Sequence, residues 1–94
     1  MRVSLQQLHQ KIAHLNDITE HVSIPWRRNE EGRLIANVGT YVLDSAYGGY
    51  QLGQLVNEGG GQNTIINGYR SKRELWEAID ILEKGMRIAK GERV

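Results

Sequence analysis

Three side chains near the end of the first helical pattern could bind a metal ion: His14, Asp17 and His21. Their spacings of three and four residues would place them on one stripe of a helix that reached residue 21. Imidazole and carboxylate groups are ligands for zinc and related ions. Three ligands on a single helix face make a geometrically poor site, so exposed polar residues at a fraying helix end are the favoured interpretation. We expect no metal and no cofactor.

A serine, a histidine and an aspartate could also be combined as in a hydrolase, from Ser45, His14 and Asp44. No nucleophile-elbow pattern surrounds the serine. The adjacency of Asp44 and Ser45 does not match a triad, in which the aspartate orients the histidine. Their side chains more readily bond nearby backbone amides at the start of a turn. The sequence therefore predicts that the protein is not an enzyme.

A basic cluster lies at the start of the second predicted helix and contains Arg70, Lys72 and Arg73. The free amides and positive dipole end of a helix N-terminus attract anions. Cations at that position oppose the dipole, and such a local conflict can mark a functional site. The alternative is three exposed cations that pair with acidic residues further along the helix.

The glycine run Gly59, Gly60 and Gly61 could let the backbone approach the same anion closely. A phosphate-binding P-loop has its lysine and helix directly after the glycines, whereas a strand-like segment follows here. A hairpin connection is therefore the favoured interpretation of the glycines. With the basic cluster, they form the hypothesis of a small-ligand site for an anionic, nucleotide-like molecule.

The segment Tyr47, Gly48, Gly49 and Tyr50 places two aromatic residues around two glycines. Tyrosines provide rigid, amphipathic contact area, so the segment could be a recognition loop for a partner. Equally, both tyrosines could close the sheet over a small core.

Trp26 and Arg27 form a second candidate for partner binding. A tryptophan beside arginine is a common interface anchor. Trp26 also follows Pro25 directly, and it could simply belong to the core.

The elements that must position these residues follow from the hydrophobic periodicity. Apolar residues at spacings of three and four predict a helix over residues 4–19, capped by Ser4 and Gln7. A second helix is predicted over residues 72–90, capped by Ser71 and Glu74. Its interior glycine, Gly85, is a weak point at which this helix could end or fray.

Residues 24–69 are predicted to be the β part, because nine of the eleven glycines lie between residues 32 and 68 and punctuate strand-like segments. The segments 24–28 and 33–43 are predicted to pair across a turn, followed by 50–56 and 64–69. Short connections imply antiparallel pairing. The fold class is therefore α+β: an N-terminal helix, a three- to four-stranded antiparallel β-meander and a C-terminal helix in one domain, residues 1–94.

Length and charge restrict the possible partners. The chain has 94 residues with no phenylalanine and no cysteine, which predicts a modest aliphatic core and excludes disulfides. Twelve basic residues against eleven acidic ones make nucleic acid an unlikely partner. No apolar segment predicts a membrane span or a signal peptide, so a cytoplasmic location is expected.

A homodimer is predicted because a small core gains from a second subunit. The second helix carries an apolar stripe that could form the dimer contact, the intramolecular core, or both. The stripe contains Leu75, Ile79, Leu82 and Met86.

Part of the chain resembles small proteins encoded by tailed phages and prophages. The similarity is carried by residues 34–50 (LIANVGTYVLDSAYGGY), 56–61 (VNEGGG) and 71–75 (SKREL), and more loosely by 15–19 (LNDIT). It covers residues 33–76 well. The segments AYGGY and NEGGG are fairly specific together and weak singly.

The resemblance implies a context more than an activity. It suggests an accessory protein made in the host cytoplasm, and it transfers no catalytic residue. The balanced charge, the absence of catalytic motifs and the glycine- and tyrosine-rich segment lead to the hypothesis that the protein binds a host or phage macromolecule.

Overall fold

The computed structural model describes residues 2–91 and confirms the predicted α+β class. Two helices enclose five strands along the chain. The elements are α1 (Leu5–Ile18), β1 (Trp26–Arg28), β2 (Leu34–Ala36), β3 (Tyr41–Ala46), β4 (Gly49–Leu55), β5 (Gln62–Arg70) and α2 (Lys72–Ala89).

Both helices begin at the predicted capping boxes. The Ser4 hydroxyl accepts from the Gln7 N–H while the Gln7 side chain accepts from the Ser4 N–H. Ser71 and Glu74 do the same at α2. These reciprocal bonds satisfy backbone donors that have no partner within a helix.

Helix α1 ends because Glu20 adopts a left-handed conformation, with φ at 62°. The N–H of His21 then reaches the carbonyl of Asn16 at 2.8 Å, and that of Glu20 reaches Asp17 at 3.1 Å. This is the Schellman arrangement, which usually has glycine at the left-handed position.

Helix α2 continues through Gly85 to Ala89, close to the predicted end at residue 90, and it does not end at this glycine. Glycine costs a helix interior about 1 kcal/mol relative to alanine. Leu75 and Ile79 are fully buried, and Met86 packs against the same core beyond the glycine. The burial of this face offsets the local cost.

The strands predicted as one meander form two separate antiparallel sheets in the structure. Strands β1 and β2 make a small hairpin, and β3, β4 and β5 make an antiparallel sheet in that order. The predicted strand 33–43 breaks between β2 and β3, where Gly39 has a φ of 97° and its Cα faces the ring of His21. At the break, Thr40 is buried and donates its hydroxyl to the carbonyl of Val22.

The three-stranded sheet has one face toward the helices and one away from them. Leu43 pairs with Leu52, and Leu52 pairs with Ile66, on the face that packs against the core. Asp44 pairs with Gln51 on the other face, which we call the outer face. Helix α1 packs over β3, and α2 contacts β4 and β5 equally.

The core between helices and sheet is aliphatic, as predicted. Its fully buried side chains come from α1, β4 and α2: Leu8, Leu15, Leu52, Leu75 and Ile79. Within residues 2–91, no helix combines the length and apolarity needed to cross a membrane.

Candidate functional site

The turn between β3 and β4 projects an aromatic side chain into solvent. Tyr47 and Gly48 are its two central residues, with φ angles of 53° and 73°. Two positive φ values match the type I′ hairpin turn, which prefers Asn-Gly or Gly-Gly. A tyrosine in the first position is therefore locally unfavourable, and its side chain is 94% exposed.

Tyr47 lies against a second tyrosine on the outer face. The rings of Tyr47 and Tyr69 meet edge to face, with centroids 5.5 Å apart and an interplanar angle of 68°. The Tyr69 hydroxyl donates to Asp44 Oδ2 at 2.9 Å, and Gln51 Nε2 donates to the same oxygen at 2.8 Å. The hydrogen bond to Asp44 raises the pKa of Tyr69. We call Asp44, Tyr47, Gln51 and Tyr69 the tyrosine face.

The predicted segment 47–50 is thus split between two roles. Tyr47 belongs to the tyrosine face, whereas Tyr50 packs partly buried against the core on the opposite side of the sheet. Gly49 is buried beside Tyr69, where a Cβ would lie 2.9 Å from the Tyr69 Cβ. Gly49 is therefore needed for β5 to approach, while Gly48 supplies the positive φ of the turn.

Trp26 and Arg27 lie near the other end of β4. The Trp26 ring packs on Gly60, where a Cβ would come within 2.6 Å of it, and the side chain is 40% exposed. Arg27 is exposed, with its guanidinium 3.9 Å from a Glu58 carboxylate oxygen. The structure uses Trp26 to join the β1–β2 hairpin to the glycine loop and does not bring it to the tyrosine face.

The residues of the anion-site hypothesis lie at opposite ends of β5. Gly59, Gly60 and Gly61 precede this strand, and the basic cluster begins at its last residue, Arg70, so the paired length of β5 separates the two groups. Asn57 Oδ1 accepts from the Gly61 N–H at 2.9 Å, as in an ordinary loop.

The basic cluster already has partners at the start of α2. Arg73 Nε lies 3.0 Å from Glu77 Oε1, and Arg70 donates to the carbonyl of Asn67. The Ser71 hydrogen bonds lower the pKa of Glu74 next to them. Lys72 is half-buried in the first turn. Nothing in this arrangement joins the cluster to the glycine loop.

The histidines of the metal hypothesis separate in the fold. Helix α1 ends at Ile18, so His21 leaves the stripe and pairs with the Thr19 hydroxyl at 2.9 Å. Among residues 2–91, no three histidine or acidic side chains are placed to hold a metal ion. The serine, histidine and aspartate considered as a hydrolase triad also lie apart. His14 Nδ1 pairs with Glu83 Oε2, whereas Asp44 belongs to the tyrosine face.

Between the helices lies an ionic cluster that the sequence interpretation missed. Lys11 Nζ is 2.8 Å from Asp80 and 3.2 Å from Glu83, and it also lies over the Trp76 ring at 4.3 Å. Glu83 is 3% exposed, and its Oε1 has no hydrogen-bond partner among the described residues. The sequence does contain an indication of this buried glutamate, because Glu83 follows Ile79 by four residues and so falls on the apolar face of α2.

A cavity of about 340 Å³ adjoins this cluster. The Glu83–His14 pair could transfer a proton, as a base does when it activates a nucleophile. However, the side chains that line the cavity include no hydroxyl or thiol that His14 could activate. The contacts of Lys11 instead connect α1 to α2. The cavity is lined by Val3, Gln7, Gln10, Lys11, His14 and Trp76.

Comparison with protein-family models, with curated proteins and with solved structures gives no match for this chain. The resemblance to small phage proteins stays a prediction.

Proposed function

We propose that this protein is a non-enzymatic accessory protein that acts by binding a host or phage macromolecule through the tyrosine face. The observation that carries the proposal is Tyr47, an aromatic side chain 94% exposed in a turn conformation that favours asparagine or glycine. Burial does not stabilise this placement. Contacts with a partner would explain why a bulky aromatic ring occupies the first position of this turn.

Two contacts orient the tyrosine face before any partner binds. The Tyr69 hydroxyl donates to Asp44, and the Tyr47 ring meets the Tyr69 ring edge to face while it stays 94% exposed. Tyrosine pairs of this kind supply a large contact area with little loss of side-chain entropy on binding. Asp44 and Gln51 place polar groups beside the rings, an arrangement typical of protein recognition surfaces.

The proposal includes a cytoplasmic location and a homodimer. The location follows from the resemblance of residues 33–76 to small phage proteins. The dimer follows from the modest core of a chain of 94 residues.

The test substitutes Tyr47 by asparagine. Tyr47→Asn creates the Asn-Gly pair that type I′ turns prefer, so the hairpin is expected to stay folded while the ring is removed. Val22→Asn is the matched control, because Val22 is an apolar side chain 57% exposed in the connector after α1. A photo-crosslinking residue placed at exposed Asn67, two residues before Tyr69 and outside the tyrosine face, identifies the bound macromolecule in a host lysate.

The expected result is one crosslinked partner that the parent protein and Val22→Asn capture equally and that Tyr47→Asn loses. Circular dichroism confirms that both variants are folded. Equal capture by folded Tyr47→Asn would refute the assignment of this surface.

A further inference from the structure

We propose that the tyrosine face binds the guanidinium group of an arginine side chain of its partner, with Asp44 as the counter-ion and the rings of Tyr47 and Tyr69 as two walls. This inference rests on the proposed function and specifies the chemical group that the partner presents. The three side chains come from β3, from the turn that follows it and from β5.

Asp44 carries a negative charge in a sheet that is otherwise almost uncharged. The strands β3, β4 and β5 contain only two charged residues, Asp44 and Arg70. Arg70 pairs with Tyr50, whose side chain packs toward the helices, and cross-strand partners share a face of a sheet. The register therefore places Arg70 on the opposite face from Asp44, and its guanidinium donates to the carbonyl of Asn67 at 3.3 Å.

The hydrogen bonds of Asp44 leave its charge uncompensated. Oδ2 accepts from the Tyr69 hydroxyl and from Gln51 Nε2, and both donors are neutral. Within residues 2–91, no basic side chain pairs with this carboxylate, and Oδ1 accepts no hydrogen bond. Asp44 is partly buried, and a charge pair is stronger there than in open water. One carboxylate oxygen is thus available to a cationic donor.

The two tyrosine rings form a corner beside this carboxylate. Their planes are inclined at 68° with centroids 5.5 Å apart, and the Tyr69 hydroxyl lies 2.9 Å from Asp44 Oδ2. Both tyrosine side chains are exposed. The face of a tyrosine ring carries negative charge density that attracts cations. The tyrosine face therefore places three groups that attract a cation side by side.

A guanidinium suits this arrangement better than an ammonium. It is planar, so it can stack on a ring while its N–H groups donate to a carboxylate. It is also more weakly hydrated than the ammonium of lysine, which lowers the cost of leaving water. Residues 45–50 carry no charge, so the turn itself offers no cation for this place. Arginine is moreover enriched in protein interfaces.

The experiment titrates the intact protein with N-acetyl-arginine methylamide and with the corresponding citrulline compound. Citrulline has nearly the same shape as arginine but no charge, so it is the matched neutral probe. NMR of labelled tyrosine rings follows Tyr47 and Tyr69 at low ionic strength, because salt screens exposed charge pairs. Asp44→Asn is the test variant, since it removes the charge and keeps an acceptor for the Tyr69 hydroxyl. Asp17→Asn, on the exposed surface of α1, makes the same change in net charge and is the control.

We expect the arginine probe to shift both ring signals with a dissociation constant at least about fivefold lower than that of the citrulline probe. Asp44→Asn should abolish this preference, and Asp17→Asn should keep it. Equal binding of the two probes by the parent protein would overturn the proposal, as would a preference retained in folded Asp44→Asn. A capped lysine probe that bound as tightly as arginine would overturn the choice of a guanidinium.

Two comparisons separate this inference from its alternatives. Free arginine should bind no more tightly than the capped probe, and clearly tighter binding would indicate a small-molecule ligand instead of a partner side chain. Capture of a macromolecule that Tyr47→Asn loses, together with equal binding of both probes, would refute the arginine inference alone. An arginine preference with no captured macromolecule would refute the proposed function and leave cation binding as a property of the tyrosine face.

Discussion

The side-chain amide of Asn16 is paired by two hydrogen bonds with the backbone of Tyr41. Its Oδ1 accepts from the Tyr41 N–H at 2.7 Å, and its Nδ2 donates to the Tyr41 carbonyl at 3.1 Å. Asn16 is 1% exposed. One side chain of α1 thereby occupies the edge of β3 as a neighbouring strand would, and it attaches the helix to the sheet.

Replacing Asn16 should therefore cost more stability than its size suggests. Asn16→Leu leaves the N–H and the carbonyl of Tyr41 buried without partners, at about 1–3 kcal/mol for each group. We expect the free energy of unfolding to fall by about 2–4 kcal/mol in urea denaturation. Asn16→Asp keeps the acceptor and should lose less than Asn16→Leu at low pH. A loss below about 1 kcal/mol in Asn16→Leu would contradict this role.

Glu20 offers a stabilising substitution. It holds the left-handed position of the α1 C-terminus at a φ of 62°, where glycine has no steric penalty. Glu20→Gly should raise the free energy of unfolding by about 0.5–1 kcal/mol, as measured by thermal and urea denaturation. Glu20→Ala removes the same carboxylate but keeps a Cβ, so it should give no such gain. Equal effects of both substitutions would show that the carboxylate, not the backbone, is responsible.

The ionic cluster should show strong coupling between Lys11 and Glu83. Lys11→Met leaves the carboxylate of Glu83 buried with only His14 for a partner, which should destabilise the protein by about 3 kcal/mol. The double variant Lys11→Met, Glu83→Met should recover most of that loss, because the buried charge is removed. A double-mutant cycle measured by denaturation gives the coupling energy. Additive single effects would mean that the pair contributes no coupling.

Acid should weaken the contact between the helices. Hydrogen bonds from Lys11 and then Lys84 lower the pKa of Asp80 in the folded protein. A lowered folded-state pKa gives stability that is present above the unfolded value of about 3.9 and is lost as pH falls through the folded value. The free energy of unfolding should therefore decrease below about pH 4. Asp80→Asn should reduce this slope, whereas Glu77→Gln, which lies in an exposed pair with Arg73, is the control. A slope unchanged in Asp80→Asn would contradict the assignment.

The tyrosine face can be observed by titration. The hydrogen bond to Asp44 raises the pKa of Tyr69, so the stability from this contact is present below the unfolded value of about 10 and is lost as pH rises through the folded value. Asp44→Asn should move the Tyr69 pKa toward 10, as followed by NMR of labelled tyrosine rings. Burial raises the pKa of Tyr41, which should not change and serves as an internal control. An unmoved Tyr69 titration would show that Asp44 does not hold its hydroxyl in solution.

The helices could be predicted well because their signals are local. Ser4 with Gln7 and Ser71 with Glu74 start the helices where their spacing indicates, since a capping box involves only four consecutive residues. The sheet was predicted less well. A continuous strand over 33–43 agrees with local propensity, but the break at Gly39 depends on His21 and on the buried hydrogen bonds of Thr40.

The candidate sites divide in the same way. Tyr47 and its glycine neighbours stand out in the sequence because unusual residues in a turn are a local feature. The partner of Tyr47 does not, since Tyr69 reaches Tyr47, and Asp44 reaches Tyr69, only after β3, β4 and β5 have paired. Lys11 and Glu83 are 72 positions apart and meet only when α1 packs on α2.

The sequence by itself determined the α+β class and both helix starts, because capping and periodicity are properties of neighbouring residues. Only the tertiary structure decided that Tyr50 turns inward while Tyr47 turns outward, that the glycine loop and the basic cluster lie apart, and that Lys11 meets Glu83 between the helices. Those relationships depend on strand register and on helix packing, which bring together residues far apart in the chain.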